Sequence, residues 1–175
     1  MAFISPENAV SHFHLHEGDA VSDFGAGSGW FARALSHAVG RTGKVYAFEI
    51  QKPLVERVAR LAEQEHLDNI EVLWCDLEAE HGCKLQDGRL DAGVLADTLS
   101  QLTDKGSALE EIRRMLRKGG KLLVIDWSET SGVSPKASVM LPEVQAKTLV
   151  EKHHFNFVRS FPAGDHHYGL AFQAA

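Results

Sequence analysis

The chain has 175 residues, 44% of them hydrophobic and 24% charged, a length that suits one domain and a balance that excludes disordered, collagen-like and coiled-coil architectures. The formal net charge of −6 sits in the first half: seven Lys/Arg face fourteen Asp/Glu up to Asp87, against eleven and ten from Gly88 onward, so the basic footprint that a nucleic-acid partner requires is missing. No run approaches the ~18 apolar residues of a membrane span, the N-terminus has no basic region followed by an apolar block, and two cysteines, Cys75 and Cys83, make no disulfide framework; the expectation is one domain over residues 1–175, reduced and cytoplasmic, with no membrane partner.

Short apolar runs rich in β-branched residues alternate with stretches of helical period, the pattern of βαβ units and a mainly parallel sheet. The runs predict strands at Ala20–Phe24, Lys44–Ile50, Ile70–Cys75, Leu90–Ala96 and Lys121–Trp127. Helices are predicted between them at Gly29–Val39, at Pro53–Glu65 with proline in its favoured first position, and at Lys105–Leu116, stopped by Gly119-Gly120. A Ser-, Gly- and Pro-rich loop over Ser128–Ser138 precedes a helix at Leu141–His153. Two last strands, Phe155–Phe161 and Tyr168–Gln173, lie so close together that they form an antiparallel hairpin. The basic cluster Arg113, Arg114, Arg117, Lys118 and Lys121 follows Glu110 and Glu111, an order that suits a helix macrodipole.

The most informative stretch is Asp23-Phe24-Gly25-Ala26-Gly27-Ser28-Gly29, where the first strand runs into a helix. Glycines at such a junction permit a tight turn and close backbone approach of a ligand. A packing turn has the same composition, but Glu49 at the end of the second strand is placed to accept from ribose hydroxyls. Together they point to a nucleoside-containing cofactor. The spacing G-x-G-x-G departs from the dinucleotide pattern G-x-G-x-x-G/A, and Asp23 is a poor neighbour for two phosphates. A cofactor with a cationic amine and no phosphate suits an Asp there.

Asp23-Phe-Gly-Ala-Gly-Ser-Gly29, Val45-Tyr-Ala-Phe-Glu49, Cys75-Asp76-Leu77, Leu90-Asp-Ala-Gly-Val-Leu-Ala-Asp97 and Leu116-Arg-Lys-Gly-Gly-Lys-Leu-Leu-Val-Ile125 resemble the successive motifs of class I S-adenosylmethionine-dependent methyltransferases. The likeness is greatest to the small-molecule branch that includes the ubiquinone and menaquinone biosynthesis enzymes. The resemblance implies a doubly wound, Rossmann-like α/β fold, with seven mostly parallel strands in the order 3-2-1-4-5-7-6. It also implies S-adenosylmethionine as cofactor. Asp23 and the turn Gly25, Ala26, Gly27 and Gly29 would surround the methionine portion, Glu49 the ribose diol, Ile50 the adenine face, and Asp76 and Leu77 the adenine edge. Leu95, Ala96 and Asp97 would lie beside the reacting methyl. Asp97-Thr98 departs from the Asn or neutral pair common in relatives.

Methyl transfer from a sulfonium needs alignment and dryness more than a covalent nucleophile; an acceptor that carries a proton also needs a base. Strand-end groups available for that role are Asp97, which could equally cap a helix, Asp126, which could equally form a turn, and His167, which enters the last strand. Of the ten histidines, His12 and His16 would share a helix face but lack a third ligand, so no metal is expected. His12, His14, His16, His166 and His167 are expected to border the acceptor site; His37, His66 and His81 are expected on the surface. Cys75 is expected in the core, and Cys83 lacks an activating partner. The partner expected is a small-molecule acceptor, with the lid small enough that a second copy or another protein could complete the site. Two other readings are an NAD(P)-dependent oxidoreductase and a catalytically silent S-adenosylmethionine-binding domain that acts through protein contacts.

Overall fold

A computed structural model describes residues 4–128 and 140–175. A short helix α1 (Pro6–Ser11) comes first, its N-terminus capped by Ser5, whose Oγ accepts from the Asn8 N–H. Then follow β1 (Ala20–Phe24), α2 (Trp30–Val39), β2 (Lys44–Glu49), α3 (Lys52–Gln64), β3 (Ile70–Trp74) and β4 (Leu90–Ala96). A 3₁₀ turn at Leu99–Gln101 leads to α4 (Lys105–Met115), β5 (Leu116–Trp127), α5 (Glu143–Lys152), β6 (Phe155–Pro162) and β7 (His167–Ala174). The seven strands form one sheet in the order β3-β2-β1-β4-β5-β7-β6. β1 to β5 pair in parallel, and β7 runs antiparallel between β5 and β6, as the expected order and hairpin require. Beyond Ser128, the expected Ser128–Ser138 loop lies outside the described residues.

The sheet is buried on both faces because consecutive strand residues point to opposite sides. In β5, Leu122 and Val124 pack with Leu109 and Ile112 of α4 and Val150 of α5. Leu123 and Ile125 pack with Val10 of α1, Leu35 of α2 and Val58 of α3. Continuous apolar runs, rather than alternating ones, are the mark of such two-sided burial.

One boundary differs from expectation. The α4 helix ends at Met115, and Leu116 already pairs with Leu90, so β5 begins five residues early. Gly119, at φ +74°, therefore lies within the strand rather than at a helix end. The bases expected on one helix are divided between α4 and β5, and their charges are used locally: Arg114 binds Glu111 and Asp87, and Arg117 binds Asp91. Lys121 donates to the Phe13 carbonyl at 2.6 Å.

The tightest place in the central sheet is Gly93 of β4, where a Cβ would lie 2.3 Å from Cε2 of the Phe24 ring. Phe24 is fully buried and stacked on Phe48, so it has little room to retreat. Gly93→Ala should lower stability by about 1–3 kcal/mol through overpacking. Urea denaturation checks this: an unchanged midpoint would contradict the packing described.

Candidate functional site

The carboxyl ends of the parallel strands open into a cavity of about 1000 Å³, the position where open α/β sheets receive ligands. Its walls combine the β1–α2 turn, the end of β2 at Glu49 and Ile50, the segment after β3 at Asp76 and Leu77, and the segment after β4 at Ala96 and Asp97. Trp127 and His167 close one side.

The turn is fastened to β2, since the N–H groups of Gly25 and Ala26 both donate to the Phe48 carbonyl at 2.9 Å. Gly25 has φ +78°, and a Cβ on it would lie 2.5 Å from Thr98 Oγ1, so both the backbone conformation and the space demand glycine. Over Gly27 the space is open: its nearest neighbour would be the Gly25 carbonyl at 3.9 Å. Glu49 spans the turn from below, accepting from Gly27 N–H through Oε2 and from Gln51 N–H through Oε1, both at 2.9 Å.

Asp23 is 2% exposed, and its Oδ2 accepts from the Ala32 N–H at 2.9 Å. That N–H is one of the donors at the start of α2 that a phosphate would otherwise take. Burial pushes the Asp23 carboxyl up to about 7; the Ala32 N–H opposes the rise and the Glu49 charge adds to it. The turn thus ends in two acids and has a filled helix start, a chemistry that suits a cationic ligand with hydroxyls and opposes a diphosphate.

Asp76 and Leu77 stand on a segment that doubles back: Ala79 N–H donates to the Asp76 carbonyl, and Gly82 N–H to the Ala79 carbonyl. This return brings Cys83 to Cys75, with Cα atoms 4.7 Å apart, and the two form a disulfide. The expectation of two unpaired, reduced cysteines is corrected here. Cys75 and Cys83 lie eight residues apart, and only the turn between them shows that they meet.

On the far side, Asp97 lines the cavity with its side chain 39% exposed, and its Oδ1 lies 3.1 Å from His167 Nε2. His167 packs against Trp127, the rings tilted at 41° with centres 4.2 Å apart. Asp126 does not line the cavity. It is fully buried, and its carboxylate accepts from Ser100 N–H, Ser100 Oγ and Trp127 N–H, each at 2.9 Å, so it fastens the segment after β4 to the end of β5. Burial raises the Asp126 carboxyl above its ordinary range, against the pull of the Ser100 and Trp127 donors and with help from the Asp97 charge.

Gly29 and Leu95 are also absent from the cavity wall; both are buried, Gly29 as the N-cap of α2 and Leu95 in the core. The N-terminal histidines are corrected as well. α1 ends at Ser11, so they share no helix face; His12 packs against Phe161 in a tilted ring contact and lies 3.2 Å from Arg159, while His16 faces Asp19. None of the three reaches the cavity. Among the described residues no group of three His, Cys, Asp or Glu could hold a metal ion. Conversely, Ile4, Trp30, Phe31, Leu102 and Trp127 line the cavity and were not singled out. Trp30, directly after the glycine turn and 54% exposed, is the one with a visible signal, a large aromatic at the open start of a helix.

A methyltransferase-domain family model matches residues 15–159. The ubiquinone/menaquinone biosynthesis C-methyltransferase UbiE of Hahella chejuensis is 35% identical over 126 residues, covering 70% of this chain and 49% of that protein. The 2-phytyl-1,4-naphtoquinone methyltransferase of Trichormus variabilis is 30% identical over 125 residues, covering 69% and 52%. The chain spans about half the length of the curated relatives it matches. A solved S-adenosylmethionine-dependent methyltransferase from Aquifex aeolicus has a TM-score of 0.92 at 28% identity, covering 99% of this chain and 91% of that one. The [4+2]-cyclase SpnF, at 13% identity and a TM-score of 0.84, covering 97% and 79%, shares the fold. With the matched model spanning most of the sequence, the chain belongs to the class I S-adenosylmethionine-dependent methyltransferase family.

Proposed function

We propose that the chain transfers a methyl group from S-adenosylmethionine to a small-molecule acceptor and releases S-adenosylhomocysteine. The observation that carries this reading is the acid-lined turn, in which Asp23 occupies the start of α2 and Glu49 backs Gly27. The residues fit such a cofactor: a buried carboxyl without a cationic partner, open space over Gly27, and no phosphate cradle. When bound, S-adenosylmethionine supplies an electrophilic methyl on a sulfonium that departs as a neutral thioether.

In this reading Asp23 faces the cofactor's ammonium and Glu49 accepts from its ribose hydroxyls through the lone pairs left free by Gly27 and Gln51. Asp76 takes the adenine amino group, while Ile50 and Leu77 enclose the ring. Gly25, Ala26 and Gly27 present backbone to it. Ile4, Trp30 and Phe31 exclude water from the same cavity. The acceptor class rests on the relatives' names; the joined cysteines lend the expected cytoplasmic setting no support. Among the described residues no helix is long and apolar enough to cross a membrane. The oxidoreductase reading is not favoured, because the helix start that would hold a pyrophosphate is taken by a carboxylate.

Calorimetric titration with S-adenosylmethionine and with NAD tests the assignment: binding of the first without the second is expected, and the reverse would overturn it. Glu49→Ala should cost S-adenosylmethionine about 1.5–3 kcal/mol of affinity, the range for hydrogen bonds to a charged group, roughly ten- to hundredfold in Kd. Equal affinity in a folded variant would remove Glu49 from the ribose. Asp23 sets a pH dependence. The cofactor's ammonium favours the carboxylate, so affinity should rise as pH climbs towards about 7 and then level off, and in Asp23→Asn this rise should vanish. Stability of the free protein should move the opposite way. An acid whose folded value is raised adds stability that is complete below the ordinary carboxyl range and is lost as pH rises through about 7. Thermal unfolding of wild type and Asp23→Asn across pH 4–8 measures it.

A further inference from the structure

The segment after β4 is held in an unusual shape. Asp97 has φ +50°, the left-handed region that side chains other than Gly, Asn, Asp and His rarely enter. Four bonds keep it there: its N–H donates to the Ile125 carbonyl at 2.9 Å, its own carbonyl accepts from Gln101 Nε2, and Ser100 N–H and Oγ both donate to buried Asp126. Strained positions held this firmly gather where a side chain must be aimed. The Asp97 side chain is aimed at the cavity.

Its carboxylate is two-sided. Oδ1 is shut away from solvent, 3.1 Å from Nε2 of His167, whose side chain is 3% exposed, and the pair is out of hydrogen-bonding alignment. The exposed part of the side chain belongs to the cavity wall. His167 is itself fixed by its place opposite Trp127 at the end of the β5–β7 ladder and by its tilted contact with that ring. Imidazole behind one oxygen and open cavity before the other is the arrangement of an oriented base. Catalytic contacts of this kind are often long or misaligned before substrate binds.

We infer that Asp97 is the catalytic base that takes the acceptor's proton, and that His167 is the positioning residue that orients its carboxylate. The inference rests on the methyl-transfer reading above and deepens it: the acceptor class is one that carries an ionisable O–H or N–H on, or conjugated to, the nucleophilic atom. In the step, that bond to hydrogen breaks, its electron pair stays on the acceptor, and the proton passes to the cavity-facing oxygen of Asp97. The acceptor anion is the nucleophile for the methyl, and the Asp97 carboxylic acid later returns its proton to water. Asp126 of β5 and His167 and Tyr168 of β7 are the titratable groups facing Asp97. Of these, His167 alone both touches its carboxylate and can carry positive charge.

Asp97→Asn is a clean test because asparagine tolerates the left-handed backbone. The first readout is the nitrogen-15 NMR spectrum of the histidine rings in the free protein. The His167 Nε2 resonance should move in Asp97→Asn, since the carboxylate charge 3.1 Å from it is gone. The second is single-turnover release of S-adenosylhomocysteine with 1,4-naphthohydroquinone as the acceptor probe. Asp97→Asn should slow it by about a hundredfold or more, the usual worth of a positioned acid or base, with the Kd for S-adenosylmethionine within threefold of wild type. His167→Gln should slow it less, in the rate at saturating acceptor rather than in acceptor affinity, because the carboxylate loses the ring that orients it. An unmoved His167 Nε2 resonance, or an Asp97→Asn rate within threefold of wild type, would overturn the inference. Failure of wild type to bind S-adenosylmethionine would instead overturn the methyl-transfer reading, while the imidazole resonance would still decide the pairing.

Discussion

The structure turns on the placement of one carboxylate. Asp23 leaves the end of β1, accepts from the third residue of α2, and by doing so holds strand, turn and helix at one angle. Burying an acid this deeply is unfavourable unless something compensates. A single backbone donor does so only in part, which is why the carboxyl is displaced to about 7. The cost is tolerable if the protein spends its working life with a cation beside that group. A second acid, Glu49, ties the same turn to β2 and strengthens the local negative field. Two acids therefore share one buried junction.

The opposite wall is built by different means. β4 and β5 end where the antiparallel β7 begins, and Asp126 uses its carboxylate on Ser100 and Trp127 rather than on the cavity. This buried knot gives the segment from Asp97 to Gln101 its shape, and the shape aims Asp97. One aspartate is consumed so that another can be presented. Thr98, packed where a Gly25 side chain would be, joins the two walls, since no larger residue than glycine fits between them.

Much of this could be read along the chain. The apolar runs, their β-branched character and the intervening helical periods identify a parallel sheet covered on both faces, because only two-sided burial removes polar residues from consecutive strand positions. The glycine turn and the acid at the end of β2 are local features whose chemistry depends on nearby residues, and these were legible. The Gly119-Gly120 stop was misleading: helix α4 is ended by strand pairing of Leu116 with Leu90, a contact between residues far apart in sequence.

The sequence by itself determined the elements, their alternation, and the chemistry of the Asp23–Gly29 turn, all of which follow from short-range periodicity and backbone sterics. The tertiary structure alone decided that Asp126 is structural while Asp97 faces the cavity, that His167 rather than His12, His14 or His16 reaches it, and that Cys75 meets Cys83. Each of those outcomes depends on which strand ends or returning turns lie side by side. Register and side-chain direction decide that, and neither is encoded in the spacing of any one motif.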